Sequence, residues 1–325
     1  MAIGAIREPR ARPRRAGTAS GQGVIPPASP GREVRGATQV SAVWRAAGAL
    51  AALLVGAGVA VGGPEISIRP AAPRPGEVVF ITLRPEAGLL RAACSWNGRS
   101  YPFLAAADAY GLVLPVPMEM PAGDHHVTIY WKYADGRMGK ATEPVRVAPR
   151  RFGVQHLKLS ARQEQAYTAP EVERERELIG AALARVSDER AWRGSFLMPV
   201  AGRISTQYGL QRYVNGRLAY RHRGIDIAAP QGTPVVAAAD GVVALAEDWF
   251  ALHGQTVILD HGQGVATLYL HLSAIEVKAG QRVARGQVIG RVGSTGVATG
   301  PHLHYAVYVY GTAVDPLFWT DLPEM

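Results

Sequence analysis

From residue 65 onward the apolar runs of this chain are short and β-branched or aromatic, and roughly every ten residues a turn signal stops them. Between 65 and 150 such runs fall at 66–68, 78–83, 95–96, 111–114, 125–131 and 145–147, separated by Pro75-Gly76, Asn97-Gly98, Ala122-Gly123 and Asp135-Gly136. Runs this short cannot lay down the apolar stripe of a helix, which needs about ten residues or more, but each can span a sheet. The 37 Gly and 23 Pro among 325 residues agree with this. Together they make about 18% of the chain against roughly 12% on average, which favours strands and turns over a helical bundle. About six or seven short strands predict a small immunoglobulin-like β-sandwich over 65–150.

Residues 154–195 change character. Thr168-Ala169-Pro170-Glu171 reads as a capping box with Pro in the first turn. Leu178, Ile179, Ala182, Leu183 and Val186 then recur at helical spacing, predicting a helix of about 18 residues that ends near Ser187. Its acids, Glu171, Glu173, Glu175 and Glu177, read as a solvated face, so the segment is a helical linker with a bracing role. Strand patterns return over 196–321, at 235–237, 241–245, 256–259, 266–269, 288–292 and 304–309. Most links between them are too short for helices, so the sheet is expected to be antiparallel and the whole chain mainly β.

The formal net charge of +9 is unevenly placed. Residues 1–45 hold eight Arg against Glu8 and Glu33, leaving +6 in this leader and +3 in the rest. Rich in Pro, Gly, Ser and Ala, the leader reads as disordered. The uncharged run 46–63 follows Arg45 directly, as the apolar part of an export signal or anchor follows its basic flank. It is short and Gly-rich against the ~20 residues of an ordinary span. Gly58-Val59-Ala60 offers a weak cleavage point, and the leader is long, so the anchor reading is preferred to cleavage; a start downstream of Met1 is a further alternative. In either case the basic end stays inside and the remainder is exported. With the leader set aside, no basic stripe with interleaved aromatics is left, which excludes nucleic acid as partner. Cys94 stands alone, so disulfide and CxxC chemistry are excluded.

Six of the nine histidines lie in the last third: His222, His253, His261, His271, His302 and His304. They fall largely in three patterns, His222-Arg223-Gly224-Ile225-Asp226, Tyr269-Leu270-His271-Leu272-Ser273 and Gly300-Pro301-His302-Leu303-His304. On a strand His302 and His304 share a face, about 6.6 Å apart at the backbone. His222 and Asp226 would be about 13 Å apart on a straight strand, too far for one ion bound at ~2.0–2.2 Å. Either the chain bends between them, which Gly224 permits, or the two sit at helical i,i+4 spacing, which Pro230, Gly232 and the β-branched residues nearby disfavour. Two imidazoles and a carboxylate form an ordinary catalytic zinc set with a fourth position for water. Spacing alone leaves scattered structural histidines as the other reading. No HExxH is present, which excludes the helix-borne metalloprotease arrangement. His253 reads as a surface residue and His261 as a turn or rim residue.

In this order and at these separations, the three patterns resemble the lysostaphin-type zinc metallopeptidases, which cut peptide bonds in bacterial peptidoglycan. The resemblance covers about 196–318. It extends to Met198-Pro199-Val200-Ala201-Gly202-Arg203-Ile204-Ser205-Thr206-Gln207-Tyr208-Gly209, Gly224-Ile225-Asp226-Ile227-Ala228-Ala229-Pro230, Asp260-His261-Gly262 and Thr295-Gly296. It implies that His222, Asp226 and His304 bind one zinc ion per domain. It also implies that His302 and His271 are the catalytic pair, His302 as general base and His271 steadying the oxyanion or sharing proton transfer. Arg223 stands where the family has a small residue and Gln255 where it commonly has Asn; neither removes a ligand. The implied protein acts on peptidoglycan peptides in the bacterial cell envelope, membrane-anchored or secreted.

Two other classes compete. A non-catalytic relative that activates another wall hydrolase would keep the fold and lose ligands, whereas here all five positions are filled. A lipoyl- or biotinyl-type carrier needs a modifiable Lys at a hairpin tip, and Lys278 is the sole Lys after residue 158.

Overall fold

The computed structural model describes residues 63–322, apart from 86, 107, 108 and 168. The basic leader and all but the last residue of the 46–63 run lie outside the described residues. Among the described residues no helix is long and apolar enough to cross a membrane.

The first unit holds β1 (Glu65–Arg69), β2 (Val78–Arg84), β3 (Leu89–Trp96), β4 (Arg99–Pro102), β5 (Leu104–Ala106), β6 (Ala109–Pro115), β7 (Gly123–Tyr133) and β8 (Met138–Val147). They pair antiparallel in two four-stranded sheets, ordered β1-β2-β6-β5 and β4-β3-β7-β8. Period-two burial explains the packing: Val127, Ile129, Trp131 and Tyr133 of β7 face inward and join Ile81 and Leu83 of β2 in one core. Trp96 donates its indole N–H to the Pro115 carbonyl at 2.9 Å, tying β3 to β6 of the other sheet. Asn97 (φ 47°) and Gly98 (φ 72°) turn β3 into β4, the left-handed pair a two-residue hairpin demands. Cys94 is core, its thiol pushed up to about 12 by burial. β8 starts seven residues before its predicted run at 145–147, because as a sheet edge it exposes alternate residues of the polar stretch Met138 to Pro144 and carries no continuous apolar signal.

The linker is not wholly helical. β9 (Val154–Leu157) comes first, then α1 (Ala161–Ala166) and α2 (Pro170–Leu183). The capping box lies at Ser160 and Gln163, ahead of α1. Thr168, the first residue of the box predicted at 168–171, lies outside the described residues; the N-cap of α2 is Ala169, with no side-chain cap, and Pro170 does take the first turn. The helix has 14 residues and stops at Leu183, short of the predicted Ser187.

The last unit contains β10 (Arg203–Thr206), β11 (Gln211–Val214), β12 (Arg217–Arg221), β13 (Ile225–Ala228), β14 (Pro234–Val236), β15 (Gly241–Glu247), β16 (Gln255–Gly262), β17 (Val265–Ile275), β18 (Arg282–Val283), β19 (Val288–Val292), β20 (His302–Val309), β21 (Thr312–Val314) and α3 (Pro316–Thr320). Ten of these strands form one antiparallel sheet with the path β10-β13-β20-β17-β16-β15-β18. The expected antiparallel, mainly β architecture is what the chain adopts. The exception to antiparallel pairing is β9, which lies parallel to β11 and so builds a linker strand onto the β11–β12 hairpin.

The two units share one hydrophobic core. At their junction Asp315 caps α3 by accepting from the Leu317 amide, and its other oxygen pairs with Arg150. Arg150 also donates to the Pro75 carbonyl at 3.1 Å, and the Tyr208 hydroxyl donates to Ala313 at 2.9 Å. Asp315 is 7% exposed, so Asp315→Ala removes a cap and strands a half-buried guanidinium. A loss of about 2–3 kcal/mol in urea unfolding is expected, with a double-mutant cycle against Arg150→Ala showing positive coupling. A loss under about 0.5 kcal/mol would mean that the pair behaves as a solvated one.

Candidate metal centre and catalytic histidines

Asp226 lies opposite His304 in the β13–β20 pairing, and Leu270 lies opposite His304 in the β17–β20 pairing. Directly paired residues point to the same side of a sheet, so Asp226 and His304 meet on one face, and His302 follows two residues away. His222 arrives from the end of β12. Its amide donates to the Leu210 carbonyl and its own carbonyl accepts from the Gly209 amide. Gly224 has no left-handed backbone, as the expected bend would allow. It is needed for close approach instead: a Cβ there would stand 2.4 Å from the Tyr305 carbonyl oxygen and 2.9 Å from the His304 ring.

The three donors converge. His222 Nε2 lies 3.0 Å from Asp226 Oδ1 and 3.0 Å from His304 Nδ1, and His304 Nδ1 lies 2.8 Å from Asp226 Oδ1. Among the described residues this is the one group of three or more acids, His or Cys with donor atoms so close. His222 Nδ1–H donates to the Gln207 carbonyl at 2.9 Å, which leaves the Nε2 lone pair to the site. Burial drives the Asp226 carboxyl up, but hydrogen bonds from His222 and His304 overcome it and hold the group below the ordinary carboxylate range. Burial lowers the His304 pKa to about 4 despite the neighbouring Asp226. At pH 7 the set is an ionised carboxylate with a neutral His304, the states a metal requires.

His271 is placed by an irregularity. Between the pairs Gln255↔Leu272 and Val257↔Tyr269, Leu270 and His271 oppose Thr256 alone, which is a β-bulge. His271 has φ +64°, left-handed and unusual for a non-glycine residue. On a regular strand it would point away from Leu270 and hence from His304. The bulge re-aims its ring to 4.9 Å from His302 and 6.4 Å from His304, centroid to centroid. His271 Nδ1–H donates to the Thr295 carbonyl and His302 Nδ1–H to the Gly300 carbonyl, each at 2.8 Å. Among the described residues neither ring has a hydrogen-bond partner at Nε2. Burial, then His302 and His304, lowers the His271 pKa to about 3, so its imidazole is neutral.

All five predicted site residues thus come together. Arg212 was not foreseen. Its Nη2 donates to the second oxygen of Asp226 at 3.0 Å, its Nε to Gln155 at 2.8 Å and its Nη1 to the Tyr220 hydroxyl at 3.2 Å. An Arg on an exposed-looking hairpin carries no sequence signal for this. His253 and His261 stand differently from expectation. His253 is half-buried against Glu175, not a surface residue. His261 is fully buried at the end of β16, not a turn or rim residue; its Nδ1–H donates to the Asp240 carbonyl and its Nε2 meets Thr267.

Residues 220–316, which hold His222, Asp226, His271, His302 and His304, match peptidase family M23. Over 115 residues the chain is 47% identical to the DD-carboxypeptidase/endopeptidase Mpg of Neisseria meningitidis serogroup B, covering 35% of this chain and 26% of that protein. Over 117 residues it is 46% identical to the peptidoglycan DD-endopeptidase ShyA of Vibrio cholerae, covering 35% and 27%. The chain therefore spans about a quarter of the length of these curated relatives. A solved structure from Pseudomonas aeruginosa assigned to peptidase M23 is 30% identical, covers 76% of this chain and 94% of its own, and superposes with a TM-score of 0.57. The chain belongs to peptidase family M23. The likeness to this M23 structure runs well beyond the third that holds the histidines.

In this M23 fold His261 sets a pH limit on stability. Burial pushes its pKa down to about 4, below the ordinary ~6.5 that the unfolded chain recovers. Between those values the unfolded state holds a proton that the native state lacks. Stability is thus complete above about pH 6.5 and falls as pH drops towards 4. The stability gap between wild type and His261→Gln should narrow by about 2 kcal/mol from pH 7 to pH 5 in urea titrations. A gap independent of pH would contradict this.

Proposed function

We propose that this chain is an exported zinc metalloendopeptidase that hydrolyses peptide bonds in the stem or cross-bridge peptides of peptidoglycan. The observation that carries the reading is the convergence of His222, Asp226 and His304 at 2.8–3.0 Å, with His271 and His302 beside them. The donor set suits zinc: two imidazole nitrogens and one carboxylate oxygen, gathered closely enough for one ion and leaving a fourth position for water. A zinc ion held there would lower the pKa of a water towards 7 and polarise the scissile carbonyl. The substrate class is supported by two relatives, one a DD-carboxypeptidase/endopeptidase and the other a peptidoglycan DD-endopeptidase.

The chain's own groups divide the proton work by tautomer. With Nδ1–H given to Gly300, His302 presents an unprotonated Nε2 and acts as general base. It takes the proton of the attacking water on Nε2 and returns it from the same atom to the leaving amine. His271, tied to Thr295 and kept neutral by burial, also presents Nε2 as an acceptor. It orients the second O–H of that water; steadying an oxyanion would require it to gain a proton first. Arg212 fixes the Asp226 carboxylate from behind, leaving Oδ1 to the site.

The remaining expectations join this reading. The 46–63 run anchors or exports the protein to the envelope. Residues 65–150, 154–195 and 196–321 are treated as a β-sandwich, a linker and a peptidase domain. Lettered in chain order, the sheets of the first unit run A-B-E-D and C′-C-F-G, which supports its immunoglobulin-like assignment.

The deciding experiment digests purified peptidoglycan with the metal-loaded protein and reads the fragments by mass. New amino termini within peptides, lost on chelation and restored by zinc, are expected. His302→Ala and His271→Ala should keep stoichiometric zinc and lose about 10²–10⁴-fold in kcat/KM. His222→Ala and His304→Ala should lose the zinc itself, and Arg212→Ala should bind it about 10–100-fold more weakly. A zinc-loaded wild type that cuts nothing would favour the non-catalytic activator of another wall hydrolase.

A further inference from the structure

Helix α2 carries one acid where a solvated face was expected and a buried one is found. Glu175 lies in the apolar stripe with Val172, Ile179, Ala182 and Leu183, and it is fully buried. A buried carboxylate needs partners, and this one finds them 76 residues or more along the chain. It accepts from the backbone amides of Ala251 (2.5 Å), Leu252 (3.2 Å) and His253 (3.2 Å), and from His253 Nδ1–H at 2.7 Å. Three consecutive amides turned onto one carboxylate fix the path of the loop between β15 and β16. In a buried place no water replaces them.

The other side of this loop touches the catalytic pair. The His253 carbonyl accepts from the His271 amide at 3.2 Å. The Leu252 carbonyl accepts from the Val297 amide at 2.9 Å, and the Gln255 amide donates to Thr295 Oγ1 at 3.0 Å. The carbonyl of the same Thr295 holds His271 Nδ1–H. The loop is thus clamped between α2 and the bulge that re-aims His271. A non-glycine residue in a left-handed backbone is strained and persists only where its surroundings over-determine it.

We propose that Glu175 is a positioning residue: it pins the 250–254 loop so that the His253 carbonyl holds His271 in its left-handed backbone and keeps the His271 ring beside His302 and His304. Its consequence for turnover rests on the endopeptidase reading above; its consequence for the His271 backbone does not. The linker helix, rather than serving as a passive brace, sets the geometry of one catalytic histidine.

The test compares the full-length, zinc-loaded wild type with Glu175→Gln, and with Glu173→Gln as an exposed control on the same helix. Gln keeps one acceptor oxygen but aims an amide N–H at the donors of the loop. Hydrogen exchange at the amides of 251–253 and of His271 should quicken at least tenfold in Glu175→Gln, with β20 unchanged. Per folded, zinc-loaded molecule, kcat on a stem peptide should fall at least tenfold while KM and zinc content hold. Glu173→Gln should match wild type in every readout. An unchanged His271 amide, or an unchanged kcat per folded, loaded molecule alongside an active wild type, would overturn the proposal. If the wild type itself cuts no peptide, the endopeptidase reading fails and exchange at the His271 amide alone decides whether the clamp exists.

Discussion

The site depends on one register. Asp226 faces His304 across β13 and β20, and that pairing alone puts a carboxylate and an imidazole of different strands within 2.8 Å. A slip by one residue would send His304 to the opposite face of the sheet. Core packing prevents it: Leu303 and Tyr305, the neighbours of His304, are fully buried, so a slip would place imidazole in the core and apolar side chains at the site. His222 is then brought in by the backbone ties at Leu210 and Gly209, and the absence of a side chain at Gly224 lets that segment lie against the His304 ring. Three groups from separate segments thus become a single donor set.

The parts legible in the sequence are those governed by local periodicity. The spacing of His302 and His304 implies a shared face because a strand alternates every two residues, and that is where they lie. Short runs broken by turn signals predict antiparallel sheets, which the chain forms. What escaped the sequence depends on distant partners. The bulge at His271 is defined by a mismatch with β16 and carries no residue signature, since a glycine would be the usual marker and His stands there instead. Glu175 looks like one of four surface acids until Ala251, Leu252 and His253 close over it. β8 is polar because it is an edge, and the capping box at Ser160 and Gln163 belongs to α1, a six-residue helix too short to leave a periodic apolar signal.

The linker contributes more chemistry than its composition suggests. Through β9 it presents Gln155 to Arg212, and after α1 it presents Tyr167, whose hydroxyl lies 3.0 Å from that of Tyr220, itself a partner of Arg212. Through α2 it presents Glu175 to the loop behind His271. It therefore braces the cluster from two sides, at Asp226 through Arg212 and at His271 through the 250–254 loop. Each contact is a buried or half-buried polar group with its partners in place, the kind of network in which removing one member costs several kcal/mol because the others are left unpaired.

X-ray absorption at the zinc edge on the metal-loaded protein tests the central claim most directly. The account predicts one zinc per chain in a four-coordinate N/O shell at about 2.0–2.1 Å, two of its ligands imidazoles, unchanged in His271→Ala and His302→Ala, and no bound zinc in His304→Ala. A shell that loses an imidazole in the His271 or His302 variant, or a protein that takes up no zinc, would contradict it.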